Sequence, residues 1–111
     1  MAARVNQETF QKEVLEADKL VLADFYSDSC IPCKRLSPVL SELEETYSDV
    51  LKVVKINVNF DQALAEQYAV QAAPTLIFFH NGEEKSRLRG AVKKAEITEA
   101  VSYTHLTLPT N

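Results

Sequence analysis

Apolar and polar positions alternate along this chain with periods that separate strands from helices. Phe10, Val14 and Leu15 recur at helical spacing behind Asn6, a residue suited to capping, so a short helix is expected over 7–15. Leu20-Val21-Leu22-Ala23-Asp24-Phe25-Tyr26 is a nearly continuous apolar run, the pattern of a central strand covered on both faces. A Ser27-Asp28-Ser29 turn follows. Leu36, Leu40, Leu43 and Tyr47 then mark one face of a long helix, and Pro38 inside it is expected to kink it. A second buried strand is expected over 51–58, rich in β-branched residues, and a short helix opened by Asn59 or Asp61 through Tyr68. Leu76-Ile77-Phe78-Phe79 is the most apolar strand. Asn81-Gly82 is a strong hairpin signal, so the strand over 84–89 should return antiparallel and end at Gly90. Val92, Ile97 and Ala100 mark the inner side of a last helix.

With a short strand at the start, the order is strand–helix–strand–helix–strand–helix–strand–strand–helix. Strands joined through helices run parallel with right-handed crossovers, and the hairpin adds an antiparallel edge. The expected architecture is a three-layer α/β sandwich. Its 111 residues, 46% of them apolar, suffice for one domain with one core. No apolar run approaches the ~20 residues of a membrane span, and polar residues interrupt the start before a signal-length apolar stretch forms. A net charge of −4 argues against nucleic-acid binding, which needs a basic surface. The expectation is a cytoplasmic protein with no membrane partner.

Residues 101–110, VSYTHLTLPT, carry no charge and coincide with the translation of a sequencing-library adapter, GTC TCT TAT ACA CAT CTG ACG CTG CCG ACG. Residues 101–111 are therefore expected to be a non-native tail. On that reading the native domain covers 1–100, its last helix is truncated, and apolar surface is left exposed.

The chemistry concentrates in Cys30-Ile31-Pro32-Cys33, which holds both cysteines of the chain where a buried strand turns into a helix. A cysteine at a helix N-terminus meets unpaired N–H groups and the positive end of the helix dipole, both of which favour a thiolate. Pro32 suits the first turn, where its missing N–H costs nothing. Cys30 can then attack a substrate disulfide and Cys33 can resolve the mixed disulfide. Asp24 has two readings: a buried carboxylate of raised pKa that accepts the Cys33 proton, or a strand-end residue that reaches solvent. A zinc site lacks ligands, since only His80, at a hairpin turn and simply a surface residue, would join the two cysteines; no metal is expected. A purely structural disulfide would constrain almost no loop. Ala73-Pro74-Thr75 enters a buried strand, and a cis Ala73–Pro74 bond there would make a tight bend able to present backbone to an extended chain.

Asp24-Phe25-Tyr26, Cys30-Ile31-Pro32-Cys33-Lys34, Pro38, Lys55, Ala73-Pro74-Thr75, Asn81-Gly82 and Gly90, in this order and spacing over roughly 4–100, resemble the thioredoxin family. The resemblance implies a central mixed five-stranded sheet flanked by helices on both faces. It also implies a redox-active Cys30/Cys33 pair, a buried Asp24 assisting Cys33, Lys55 tuning that carboxylate, and a cis Pro74. Ile31, Pro32, Ala73, Pro74 and Gly90 would then lie along a substrate groove. The implied activity is reduction of protein disulfides by a monomer without a bound cofactor, recharged by a separate flavin-dependent thioredoxin reductase using NADPH. Ser29 and Tyr26 stand where the family usually has tryptophan, and Ile31 where it has glycine, changes that bear on potential and partner choice. Two other functions remain open: a thioredoxin-like binding or chaperone module, and a glutathione-linked oxidoreductase, for which the sequence offers no distinct basic cluster.

Overall fold

The computed structural model describes residues 3–90 and 92–107. Five strands form one sheet in the order β1-β3-β2-β4-β5, with β1 Ala3–Arg4, β2 Leu20–Tyr26, β3 Leu51–Asn57, β4 Thr75–His80 and β5 Glu83–Arg89. β1, β3 and β2 are parallel; β4 runs antiparallel to β2, and β5 antiparallel to β4. The helices are α1 Gln7–Phe10, α2 Ile31–Thr46, α3 Gln62–Gln67 and α4 Lys94–Thr107.

Strand alternation divides the core in two. Val21, Ala23, Phe25, Val54, Ile56, Ile77 and Phe79 meet Phe10, Val14 and Leu64 on one face. Leu20, Leu22, Leu51, Val53, Leu76 and Phe78 meet Leu36, Leu40, Leu43 and Ile97 on the other. Because side chains on a strand alternate, Asp24 and Lys55 point to the second face, the one that α2 covers. Each buried Leu, Phe or Ile contributes roughly 1.5–3 kcal/mol through removal from water, so this two-sided core outweighs any single polar contact.

Local chemistry places the connections. The Asn6 side chain accepts a hydrogen bond from Thr9 N–H, and Asn6 N–H donates to Thr9 Oγ1, a reciprocal cap that starts α1. Asn81 and Gly82 both have positive φ, 52° and 80°, the geometry a two-residue hairpin loop demands.

Three expectations need correction. The first helix is α-helical only to Phe10; Gln11–Leu15 is a π-helical turn in which Glu16 N–H reaches Gln11 O, and the wider turn buries Val14 while leaving Lys12 exposed. Pro38 lies inside α2, as expected, on its exposed side. His80 is half-buried, and its Nδ1 is enclosed without a hydrogen bond among the described residues. The last helix runs past Ala100 to Thr107, because Val101 and Thr104 continue the inward stripe begun by Ile97; Val101 joins the second core. Among the described residues no helix is long and apolar enough to cross a membrane.

Candidate active site

Three elements deliver the site: the end of β2, the start of α2 and the entry to β4. Cys30 is the N-cap of α2, in extended conformation, and Pro32 occupies the first turn as its missing N–H allows. Cys30 and Cys33 are joined by a disulfide with their Cα atoms 5.2 Å apart. The backbone N–H of Cys33 donates to Cys30 Sγ at 3.1 Å, so the first sulfur occupies the place a capping oxygen usually takes. Cys30 is half-exposed, whereas Cys33 is buried. One sulfur faces solvent and the other faces the protein.

An open groove of about 500 Å³ runs beside Cys30. Ile31 and Pro32 form one wall and Ala73 part of the other; Ile31 is 63% exposed, an uncovered apolar side chain next to the reactive sulfur. The Ala73–Pro74 peptide is cis. Pro74 lies buried behind Ala73, and its carbonyl accepts a hydrogen bond from Gly90 N–H at 3.0 Å. The groove also takes Val58, Asn59, Val70 and Gln71, which the sequence reading did not single out. A usable signal existed: sites in open α/β sheets lie beyond the carboxyl ends of parallel strands, and 58–59 follow β3 there.

Asp24 is fully buried, and among the described residues neither of its carboxylate oxygens accepts a hydrogen bond. This excludes the strand-end reading in which it reaches solvent. Burial pushes its pKa up to about 6, against an opposing pull from the Lys55 ammonium. Lys55 is the in-register neighbour of Asp24 on β3. Its Nζ donates to Ser37 Oγ at 3.5 Å and sits 4.7 Å above the Tyr26 ring, a cation–π arrangement. Cys33 and Lys55 share the wall of a second, smaller cavity on the far side of the α2 start. The predicted residues thus form two groups: Cys30, Ile31, Pro32 and Ala73 at the groove with Pro74 and Gly90 one step behind, and Cys33 and Lys55 at the second cavity, with Asp24 buried on the same face of the sheet. Among the described residues no cluster of three or more His, Cys, Asp or Glu is arranged to hold a metal ion.

This arrangement can carry out thiol–disulfide exchange: an accessible sulfur at a helix N-terminus, a buried partner within bonding reach, and a carboxyl group that titrates near neutral pH. Comparison with known proteins points the same way. The family model described as Thioredoxin matches residues 1–103. Thioredoxin 1 of Synechococcus elongatus is 39% identical over 101 residues, covering 91% of this chain and 94% of that protein. Thioredoxin of Acidithiobacillus ferridurans is 37% identical over 94 residues, 85% of this chain and 87% of that one. The chloroplastic M-type thioredoxin of Spinacia oleracea is 38% identical over 97 residues, 87% of this chain and 54% of that longer protein.

Proposed function

The chain belongs to the thioredoxin family and is a thiol–disulfide oxidoreductase, and from that premise we propose that it works as a reductant of protein disulfides, Cys30 attacking and Cys33 resolving. The observation that carries the assignment of roles is the unequal placement of the two sulfurs. Cys30 is half-exposed at the head of α2 with a backbone N–H aimed at its sulfur, and Cys33 is buried one turn further on. In the reduced protein the same N–H and the helix dipole favour the Cys30 thiolate.

The exchange then balances in two steps. The Cys30 thiolate attacks one substrate sulfur, and the other leaves as a thiolate and takes up a proton. Asp24, as carboxylate, accepts the Cys33 proton; the Cys33 thiolate attacks Cys30 Sγ and expels the second substrate thiolate. Two electrons pass to the substrate and the Cys30–Cys33 disulfide is left. Lys55 holds the Asp24 carboxyl in the range where it both accepts and returns that proton. Ile31, Pro32, Ala73, Pro74 and Gly90 shape the substrate groove.

A thioredoxin reductase drawing on NADPH recharges the pair, and a monomer suffices, since both sulfurs and the groove come from one chain. A reductant of this kind works where thiols are kept reduced, which favours the cytoplasm. The proposed adapter origin of residues 101–111 accommodates a helical segment with two buried residues, because helical spacing of a few apolar side chains is all that packing requires. Amplifying the gene from genomic DNA tests that origin.

Two variants test the roles. Cys30→Ser abolishes reduction of a protein disulfide, and Cys33→Ser accumulates a mixed disulfide with substrate through Cys30. Undiminished turnover by Cys30→Ser, or a trapped adduct on Cys33 instead, overturns the assignment.

A further inference from the structure

The second cavity, about 260 Å³, draws its walls from four separated stretches of chain: Arg4 on β1, Asp28 in the turn after β2, Cys33, Lys34 and Ser37 on α2, and Lys55 on β3. Arg4 and Lys55 are in-register neighbours on parallel strands, so their side chains leave the same face of the sheet next to each other. Like charges placed directly opposite on neighbouring strands repel. A structural purpose for such a pair would leave each cation with its own carboxylate, as Lys52 has Glu13 and Arg87 has Glu84. Among the described residues Arg4, Lys34 and Lys55 form no ion pair. Among the described residues Lys55 contacts the Ser37 hydroxyl and the Tyr26 ring, and it acts on the buried Asp24 through its charge without an ion pair.

The opposing charges are few. Asp28 lines the cavity, and its Oδ2 accepts from Asn57 Nδ2 at 3.3 Å. Asp24 is buried on the same face as the next in-register neighbour of Lys55. Asp61 joins Arg4, Asp28 and Lys55 in the adjoining cavity, its Oδ1 accepting from Gln7 N–H, so three cations line this cavity with one carboxylate of its own, in a protein whose net charge is −4.

We propose that this cavity is an oxyanion-binding site, taking a carboxylate or phosphate group between Arg4, Lys34 and Lys55 beside the buried Cys33. An anion seated there relieves the Arg4–Lys55 repulsion, and the Ser37 hydroxyl supplies a further donor. The chemistry has two sources: an acidic side chain of a disulfide-bearing substrate that reaches around the head of α2, or a free anion. Anion binding itself does not depend on the redox reading, so it can fail or hold independently of it.

The test has two arms, each on the native chain and on Arg4→Gln/Lys34→Gln, two exposed positions whose substitution leaves the core intact. In the first, inorganic phosphate is titrated at low ionic strength while backbone amide resonances are followed. Saturable shifts at Arg4, Lys34, Lys55 and Tyr26 that vanish in the double variant are expected. In the second, the reduced protein reacts with two disulfide peptides that differ only in glutamate or glutamine beside the cysteine. A substrate source makes the glutamate peptide faster by about threefold to fivefold, despite the overall negative charge, and salt or the double variant removes the difference. Phosphate shifts with equal peptide rates assign the site to a free anion. Neither effect, or effects that survive in the double variant, overturns the proposal.

Discussion

Lys52 and Lys55 sit three residues apart on β3, and the strand turns them to opposite faces of the sheet. On the α1 face, Lys52 Nζ reaches Glu13 Oε2 at 2.6 Å and also the Glu13 carbonyl at 2.9 Å; the hydrogen bond from Lys52 holds the Glu13 carboxyl below its ordinary pKa. On the α2 face, Lys55 stands beside Asp24 in register yet makes no ion pair with it, and burial drives the Asp24 carboxyl up to about 6. The first pair is satisfied at the surface and is chemically inert near neutral pH. In the second, the Asp24 carboxyl is buried without a hydrogen bond among the described residues, a condition that costs stability and raises its pKa on the face that carries Cys33. One strand thus carries both an ion-paired cation and the one proposed to tune Asp24, distinguished by what surrounds the carboxylate.

The largest expected effect lies on the functional side. Asp24→Asn removes the proposed acceptor of the Cys33 proton and is expected to slow release of substrate from the mixed disulfide by about a hundredfold or more at pH 7, read as single-turnover reduction of a disulfide peptide. In the native protein the same rate rises with pH through an inflection near the Asp24 pKa of about 6, because only the carboxylate form accepts a proton. The variant lacks that inflection. Equal rates and equal profiles would erase the distinction between the two carboxylates.

Next comes stability. A carboxyl group whose pKa is raised on folding stabilises the native state fully only below its unfolded value, near 4, and loses that contribution as pH rises through about 6. The native protein should therefore lose about 3 kcal/mol relative to Asp24→Asn between pH 3 and pH 7.5, measured by denaturant melts at both ends. The sign is the reverse of Glu13, whose lowered pKa stabilises the fold above its unfolded value and ceases to as pH falls. Smaller again is Lys55→Met. Loss of the cation that opposes desolvation moves the Asp24 inflection upward, and the rate at pH 7 drops a few-fold. An inflection that stays in place would separate Lys55 from the carboxylate it is argued to tune.

Much of this was legible along the chain, for reasons that differ by residue. The unbroken apolar run of β2, the leucine face of α2 and the Asn81-Gly82 loop are written in local periodicity and turn chemistry, which the tertiary structure only had to agree with. The cysteine pair was legible because two residues of spacing and a strand-to-helix junction already set its geometry. Asp24 was half legible: its place in an apolar strand marked it as unusual, but whether it met solvent depended on α2 lying over that face of the sheet. The π-helical turn at Gln11–Leu15 left no mark, since the same apolar positions serve either helix type and packing chooses. The gathering of Arg4, Lys34 and Lys55 was invisible because nothing in a linear order brings residues of β1, α2 and β3 to one cavity. A basic cluster sought by adjacency is missed when strand register assembles it.

The smallest effect belongs to the structural side, and it completes the contrast. Glu13→Gln removes the carboxylate partner of Lys52 but leaves the lysine at the surface, where water takes over the lost contact. The strand keeps its pairing to β2 and its apolar neighbours Val53 and Val54. Activity and its pH profile should match those of the native protein, with only a slight fall in the denaturant midpoint at pH 7 that fades once Glu13 is protonated in acid or screened by salt. A change in the catalytic profile on Glu13→Gln would mean that the α1 face communicates with Asp24 through β3. The two lysines could then no longer be treated as independent, because strain in one ladder position would be reaching the carboxyl group behind the sheet.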